Sequence, residues 1–326
     1  MRYGKLCHEF HPAGADRPSE VFSVTKTLGA VVTGMVAHQT ADLPRMGRKT
    51  GPLAAEDRVD HWIDEFSFHP DARIGHVLAM VAHNDDLGFG RKRFQYDIDG
   101  TVQINRLSDV LNAALAQDPG RFGPDLDAFT QRFLFDPLGM DRSRWSRGAS
   151  DKNFAVSWHA TVREMARLGL LLLRGGVWDG ERLLSEEWVY AMTHPSFEDA
   201  SHGYGHLTWL ATRTRNPLFG DCVPAPIWRD HPHGLSESPD CGYLRHSCEQ
   251  AYDAGVWAAL GLFGQIIMGH PGLDLVLVAK DVGPIAAGGV WEIARPALIA
   301  RDPRYAGDEA AFCRDYAASD YAPDLR

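Results

Sequence analysis

The stretch Ser23-Val24-Thr25-Lys26-Thr27-Leu28-Gly29-Ala30-Val31-Val32-Thr33-Gly34-Met35-Val36-Ala37-His38-Gln39 decides how the chain reads. Lys26 is its single lysine, and it holds no carboxylate. Small and apolar residues recur on every side, which predicts a helix buried all round. A serine three residues before a lysine places both side chains on one helix face, one turn apart. Serine is a weak nucleophile until it loses its proton. Burial disfavours a charged lysine, and a neutral amine accepts that proton. A serine in the first turn also holds its backbone N–H at the positive end of the helix, where an oxyanion is stabilised. The spacing points to acyl transfer through Ser23 with Lys26 as base. A plainer reading fits the same residues: an N-cap serine and a lysine snorkelling from the helix start. Local physics leaves both open.

The rest of the chain narrows the setting. At 326 residues it has room for about two domains or one interleaved unit. Hydrophobic residues at 44% and charged residues at 23% are those of a globular chain with a sizeable core. The formal charge of -10 opposes nucleic-acid binding, and the densest basic run, Arg91-Lys92-Arg93, is too short for a phosphate-binding patch. The best apolar runs, Leu168 to Leu173 and Ile266 to Ala279, are too short or too broken for a membrane span. The N-terminus lacks the apolar core of a signal peptide, which favours a cytoplasmic location; it reads as a strand entered midway, so the native start can lie upstream. Five cysteines, Cys7, Cys222, Cys241, Cys248 and Cys313, read mainly as reduced structural thiols.

Along the chain, residues 1 to 11 read as a strand and 12 to 18 as a turn. A helical middle follows: Leu107 to Gln117 with Ser108 as a cap, Leu126 to Phe135 stopped at Asp136-Pro137, and Met165 to Leu173 behind the capping box Thr161-Val-Arg-Glu164. A short helix is expected over Glu186 to Thr193. Val256 to Met268 and Leu273 to Lys280 flank His270-Pro271-Gly272 and read as a hairpin. Trp291 to Ala300 reads as a closing helix ahead of an acidic tail. The expected fold class is α/β (α+β): an antiparallel sheet flanked by helices, with an all-α lobe inserted. Residues 1–55 and 200–326 form the α/β domain, 56–199 form the mainly helical lobe, and the cleft between them is the expected site.

The motifs, taken in order, resemble the β-lactamase-like serine hydrolases: class C β-lactamases, penicillin-binding carboxypeptidases, family VIII esterases, D-aminopeptidases and 6-aminohexanoate-oligomer hydrolases. Phe22-Ser-Val-Thr-Lys-Thr27 is similar to the nucleophile motif of that family, and Phe94-Gln-Tyr-Asp-Ile98 stands where its second motif would. Phe135-Asp-Pro-Leu-Gly-Met140, Arg174-Gly-Gly-Val-Trp-Asp-Gly180, Tyr204-Gly205 with Trp209, and Gly264-Gln265 continue the series. The resemblance implies Ser23 as nucleophile, Lys26 as its base partner and Tyr96 as proton relay to the leaving group. It implies no cofactor and no metal. It departs at two places. Ile98 replaces the asparagine of the second motif and cannot hydrogen-bond a substrate amide. Counting back from Phe263-Gly264 gives Val256-Trp257-Ala258-Ala259 at the third motif, with no cation for a substrate carboxylate. A backbone N–H near Ala259 is the expected second oxyanion donor, with Trp257 and Ile98 on the substrate side.

The resulting expectation is a serine hydrolase cleaving a small ester or amide through an acyl-serine intermediate. The alternatives are an inactive binding protein of the same fold, or a true β-lactamase or DD-peptidase, against which Val256 counts. His8-Glu-Phe-His11 lacks zinc-protease spacing. Cys222, His231, His233, Cys241, His246 and Cys248 fall in one Pro/Gly-rich stretch that reads as an insertion loop, with zinc or a disulfide as the sharper alternatives. His83-Asn-Asp-Asp86 reads as a turn near the cleft rim. Trp178, Trp209 and Trp257 read as core or cleft wall.

Overall fold

A computed structural model describes residues 1–12, 14, 16–64, 68–82, 94–96, 98–145, 152–197, 203–210, 256–283, 300, 302–308 and 310–311, with backbone alone at 98 and 99. Strand β1 (Ser19–Glu20) leads into helix α1 (Val24–Gln39), whose residues from Val24 to Val36 are all buried. Its glycines are contact points. A Cβ on Gly29 would sit 2.4 Å from the Phe154 ring, and one on Gly34 would sit 2.3 Å from the Trp188 ring. The Trp188 indole N–H donates to Ala30 O at 3.0 Å. Aromatic rings therefore lie on the helix backbone itself, in space only glycine leaves free.

Helices α2 (Val59–Trp62), α3 (Ile74–Leu78), α4 (Ile98–Asn105), α5 (Leu107–Leu115), α6 (Pro119–Phe122) and α7 (Leu126–Thr130) make up the helical middle. Ser108 does not cap α5, which starts from Arg106 and ends short of Gln117. The Ser108 side chain is buried, and its hydroxyl accepts from Lys152 N at 2.9 Å. The helix expected over Leu126 to Phe135 and ended by Asp136-Pro137-Leu138-Gly139 does end at Gly139, but it passes through Pro137, by way of wide π-type turns at Gln131–Phe135 and α8 (Asp136–Leu138). Those turns accommodate the proline ring and its missing N–H. Gly139 then ends the helix at φ +62, with Met140 N donating to Phe135 O at 2.8 Å.

Strands β2 (Arg144–Trp145) and β3 (Trp158–Ala160) join β1 in a small antiparallel sheet of order β1-β3-β2. Helix α9 (Val162–Leu173) begins at the expected capping box: Glu164 N donates to Thr161 Oγ1, and Thr161 N donates to Glu164 Oε2 at 2.8 Å. After the hairpin β4 (Val177–Trp178) and β5 (Glu181–Arg182) comes α10 (Glu186–Thr193), with the bounds its sequence suggested.

The main sheet is antiparallel and runs in chain order: β6 (Trp209–Leu210), β7 (Trp257–Gly261), β8 (Gln265–His270) and β9 (Leu275–Ala279). The run Val256 to Met268, read as one arm of a hairpin, is two strands that reverse at Leu262-Phe263-Gly264. The turn after His270 falls where expected, as a 3-10 turn at Pro271–Leu273. Of the strand expected over residues 1 to 11, the first three residues pair toward β9 and Lys5 pairs back onto Arg2. The Met1 ammonium donates to Val276 O at 2.6 Å and Tyr3 N to Asp274 O at 3.1 Å, along β9; Tyr3 then turns away at φ +51. The register pairs Ala259 with Ile267 and Gly261 with Gln265, so Trp257, Ala259 and Gly261 share one sheet face. Helix α9, from the 56–199 segment, packs on that face. A Cβ on its Gly169 would meet Ile267 at 2.7 Å and Val276 at 2.8 Å. The expected closing helix before Ala300 and the acidic tail lie outside the described residues.

Two histidines are locked into this core. His206 and His270 are buried, and burial pulls their pKa values down from 6.5 to about 4 and about 3, with Arg2 adding to the effect at His270. Both rings are neutral in the folded protein at neutral pH, whereas unfolded imidazoles take up a proton below about 6.5. Stability is therefore intact above pH 6.5. It falls by on the order of 3 kcal/mol per histidine as pH drops toward 4. Urea denaturation at pH 7.5 and 4.5 measures this, and His206→Gln is expected to flatten the pH dependence. An identical profile in that variant would contradict the assignment.

Candidate active site

Ser23 stands at the start of α1, and its side chain makes no hydrogen bond to the helix N–H groups. Phe22 before it adopts φ +48, a left-handed conformation that costs an aromatic residue about 1–2 kcal/mol. The turn is pinned to β3: Val21 N donates to Trp158 O at 2.9 Å, and Trp158 N donates to Thr25 Oγ1 at 3.0 Å. Thr27 Oγ1 donates to Leu207 O at 2.9 Å. The serine is thus presented from a rigid, strained corner.

Lys26 does not snorkel; it is 4% exposed. Its Nζ donates to Ser23 Oγ at 2.9 Å and to Ala155 O at 3.1 Å, and lies 4.8 Å from the centroid of the Tyr96 ring. The structure therefore brings Ser23, Lys26 and Tyr96 together across more than seventy residues of chain. Tyr96 packs against Trp209 at 4.9 Å and edge-on to Tyr204 at 6.1 Å. The Tyr204 hydroxyl is buried, and burial, helped by the neighbouring Tyr96, pushes its pKa well above the usual 10. Tyr204 stays protonated beside Tyr96. Ile98 opens α4 two residues after Tyr96; its side chain lies outside the described residues.

Gly261, a residue the sequence reading passed over, lies beside the serine. A Cβ there would be 2.3 Å from Val21 O and 3.2 Å from Ser23 N. The end of β7 thus crosses directly over the turn that carries Ser23. Ala259 sits two residues back, roughly 7 Å of strand away, opposite Ile267; Trp257 lies over Gly269. Both are buried on the same face as Gly261. The signal for Gly261 was available: a glycine inside an apolar strand run marks a close backbone approach.

The weaker constellations carry other roles. Glu9, His11 and Asp16 bring potential ligand atoms within 4.8 Å of one another. Both Glu9 oxygens are held by Arg163 at 2.7 and 2.6 Å, and both Asp16 oxygens cap the start of α9. Trp209 is a wall of the Tyr96 cluster, and Trp178 lies in the β4–β5 hairpin. The His83 to Asp86 segment and the Cys222 to Cys248 stretch lie outside the described residues.

A scan against protein-family models finds no match, and neither does a search of curated protein sequences. Solved structures do match. A candidate β-lactamase from Bacteroides dorei aligns with TM-score 0.57 at 13% identity over 90% of both chains. A candidate 6-aminohexanoate-dimer hydrolase from Bacillus anthracis aligns with TM-score 0.55 at 14% identity, over 90% of this chain and 75% of the other. A family VIII carboxylesterase aligns with TM-score 0.50 at 13% identity, over 86% of this chain and 82% of the other. At such low identity the likeness concerns architecture. The helices around an antiparallel sheet place this chain in the fold seen in the matched β-lactamase and penicillin-binding protein structures.

Proposed function

We propose that the chain is a serine hydrolase that cleaves a small ester or amide through an acyl-Ser23 intermediate. The observation that carries this reading is the 2.9 Å hydrogen bond between Lys26 Nζ and Ser23 Oγ inside a buried helix start. A buried lysine costs stability unless partnered, and one of its two hydrogen-bond partners here is the hydroxyl that would attack.

The steps follow from the positions. Lys26 Nζ takes the proton from Ser23 Oγ while that oxygen attacks the substrate carbonyl carbon. The carbonyl oxygen becomes an oxyanion. Ser23 N–H, at the positive end of α1, and a backbone N–H from the β7 turn at Gly261 face it. Tyr96, beside Lys26, delivers a proton to the departing alkoxide or amine. Lys26 hands the proton it took to Tyr96, restoring both groups; water then attacks the acyl-serine while giving a proton to Lys26, and that proton passes to Ser23 Oγ as the acid leaves. The cleft between the two lobes, residues 1–55 with 200–326 and residues 56–199, is the proposed setting. Val256 at the head of β7 is buried and uncharged, which favours neutral substrates over those bearing a carboxylate.

Treatment with a fluorophosphonate followed by intact-mass measurement tests the assignment. One adduct is expected on the native protein and none on Ser23→Ala; a folded native protein without adduct would contradict it. Lys26→Met is expected to slow labelling by about 100-fold or more with retained secondary structure. Gly261→Val forces a side chain against Val21 O and Ser23 N. It is expected to slow labelling and to lower stability by about 1–3 kcal/mol, whereas a wild-type rate and urea midpoint would show that β7 does not set the serine corner.

A further inference from the structure

The turn that joins β7 to β8 is built from the wrong residues for a turn. Hairpin reversals favour glycine, asparagine and aspartate, and left-handed positions favour them most. Here Leu262 and Phe263 precede Gly264, and Phe263 itself adopts φ +62. Both side chains are 64% exposed. Among the described residues they are the one sequence-adjacent pair of strongly exposed large apolar side chains. The turn is nevertheless fixed: Gly283 N donates to Phe263 O at 3.2 Å, and a Cβ on Gly264 would be 2.5 Å from Gly283 O. Val282, also exposed, reaches within 2.6 Å of that same position.

This apolar turn directly follows Gly261, the residue pressed against the serine corner. Phe22, immediately before Ser23, is the second aromatic residue here in the left-handed region, and its ring meets Phe263 edge-on at 5.2 Å. Two strained phenylalanines in contact beside a nucleophile indicate a surface kept for use. Among the described residues, the neighbouring charges Lys280 and Asp281 are committed elsewhere. Lys280 Nζ donates to Ala160 O and Arg17 O, and Asp281 accepts from Gln265 Nε2.

We infer that Phe22, Leu262, Phe263 and Val282 form an apolar lip that binds the acyl chain of the substrate, so that the preferred substrates are esters or amides of aliphatic or arylalkyl acids rather than acetyl compounds. This rests on the hydrolase reading above. The side of the scissile bond follows from geometry. The leaving group must lie near Tyr96 and Lys26 to receive its proton. The oxygen points at Ser23 N–H. The lip contains Phe22, the residue before Ser23, and directly follows Gly261, whereas the contacts of Lys26 are Ser23, Ala155 and Tyr96, so the lip is assigned to the acyl substituent.

The test is a series of 4-nitrophenyl esters, acetate, butyrate and hexanoate, run beside fluorophosphonate labelling of Ser23. The inference predicts that kcat/KM rises by about threefold to fourfold per methylene, the factor for burying one such group. In the double variant Leu262→Ser with Phe263→Asn this slope is expected to collapse. Asparagine tolerates the left-handed conformation, so the variant is expected to melt no lower than the native protein. A flat series in a native protein that labels at Ser23 overturns the lip and leaves the hydrolase reading standing. So does an unchanged slope in the variant, or a slope that follows the alcohol chain of alkyl butyrates instead. Absence of both labelling and turnover overturns the hydrolase reading, and the lip with it.

Discussion

A lysine amine buried at the start of an uncharged helix must find partners, and Lys26 finds Ser23 Oγ and Ala155 O. Much of the structure serves that arrangement. Burial of α1 requires neighbours on all sides, and the chain supplies them at short range. Phe154 lies on Gly29 and Trp188 on Gly34, while β7 closes over the serine corner at Gly261. The same segment that provides Ala155 provides Phe154 and Trp158, so one stretch of chain covers the helix, pins its first turn and holds the lysine. Larger residues at Gly29, Gly34 or Gly261 would displace these contacts and the hydrogen bond they enclose.

How much was legible beforehand depended on whether a feature was local. The extent of α1 and α10 and the capping box of α9 rest on periodicity and on residues within one turn, and all are found as read. The pairing of Ser23 with Lys26 follows from helical spacing alone. Errors arose where tertiary contacts override local preference. The hydroxyl of Ser108 serves Lys152 across 44 positions rather than the helix it was assigned to cap. Pro137 reads as a residue that cannot continue a helix, but π-type turns before it absorb the misfit. The β7–β8 reversal was missed because Leu262-Phe263 carries no turn signal except Gly264. The residues the sequence could not place are those brought in from distant chain: Gly261 beside Ser23, and Tyr204 beside Tyr96.

That turn is also where the fold meets the specificity proposed above. Among the described residues, this hairpin's left-handed phenylalanine and exposed leucine present apolar surface where turn chemistry would place polar residues or glycine. The main sheet therefore does two jobs with consecutive residues. Gly261 allows backbone to approach Ser23, and Leu262 and Phe263 present apolar surface just beyond it. The neutral head of β7 at Val256 fits the same picture of an uncharged substrate.

The central claim is that Ser23 carries the acyl group during turnover. Rapid acid quench of the native protein mixed with a 4-nitrophenyl ester, followed by peptide mapping, tests it most directly. The account predicts a burst of nitrophenol approaching one equivalent per chain and an acyl group on the peptide that contains Ser23. Turnover without a burst, with no acylated peptide or with the acyl group on another residue, would contradict it.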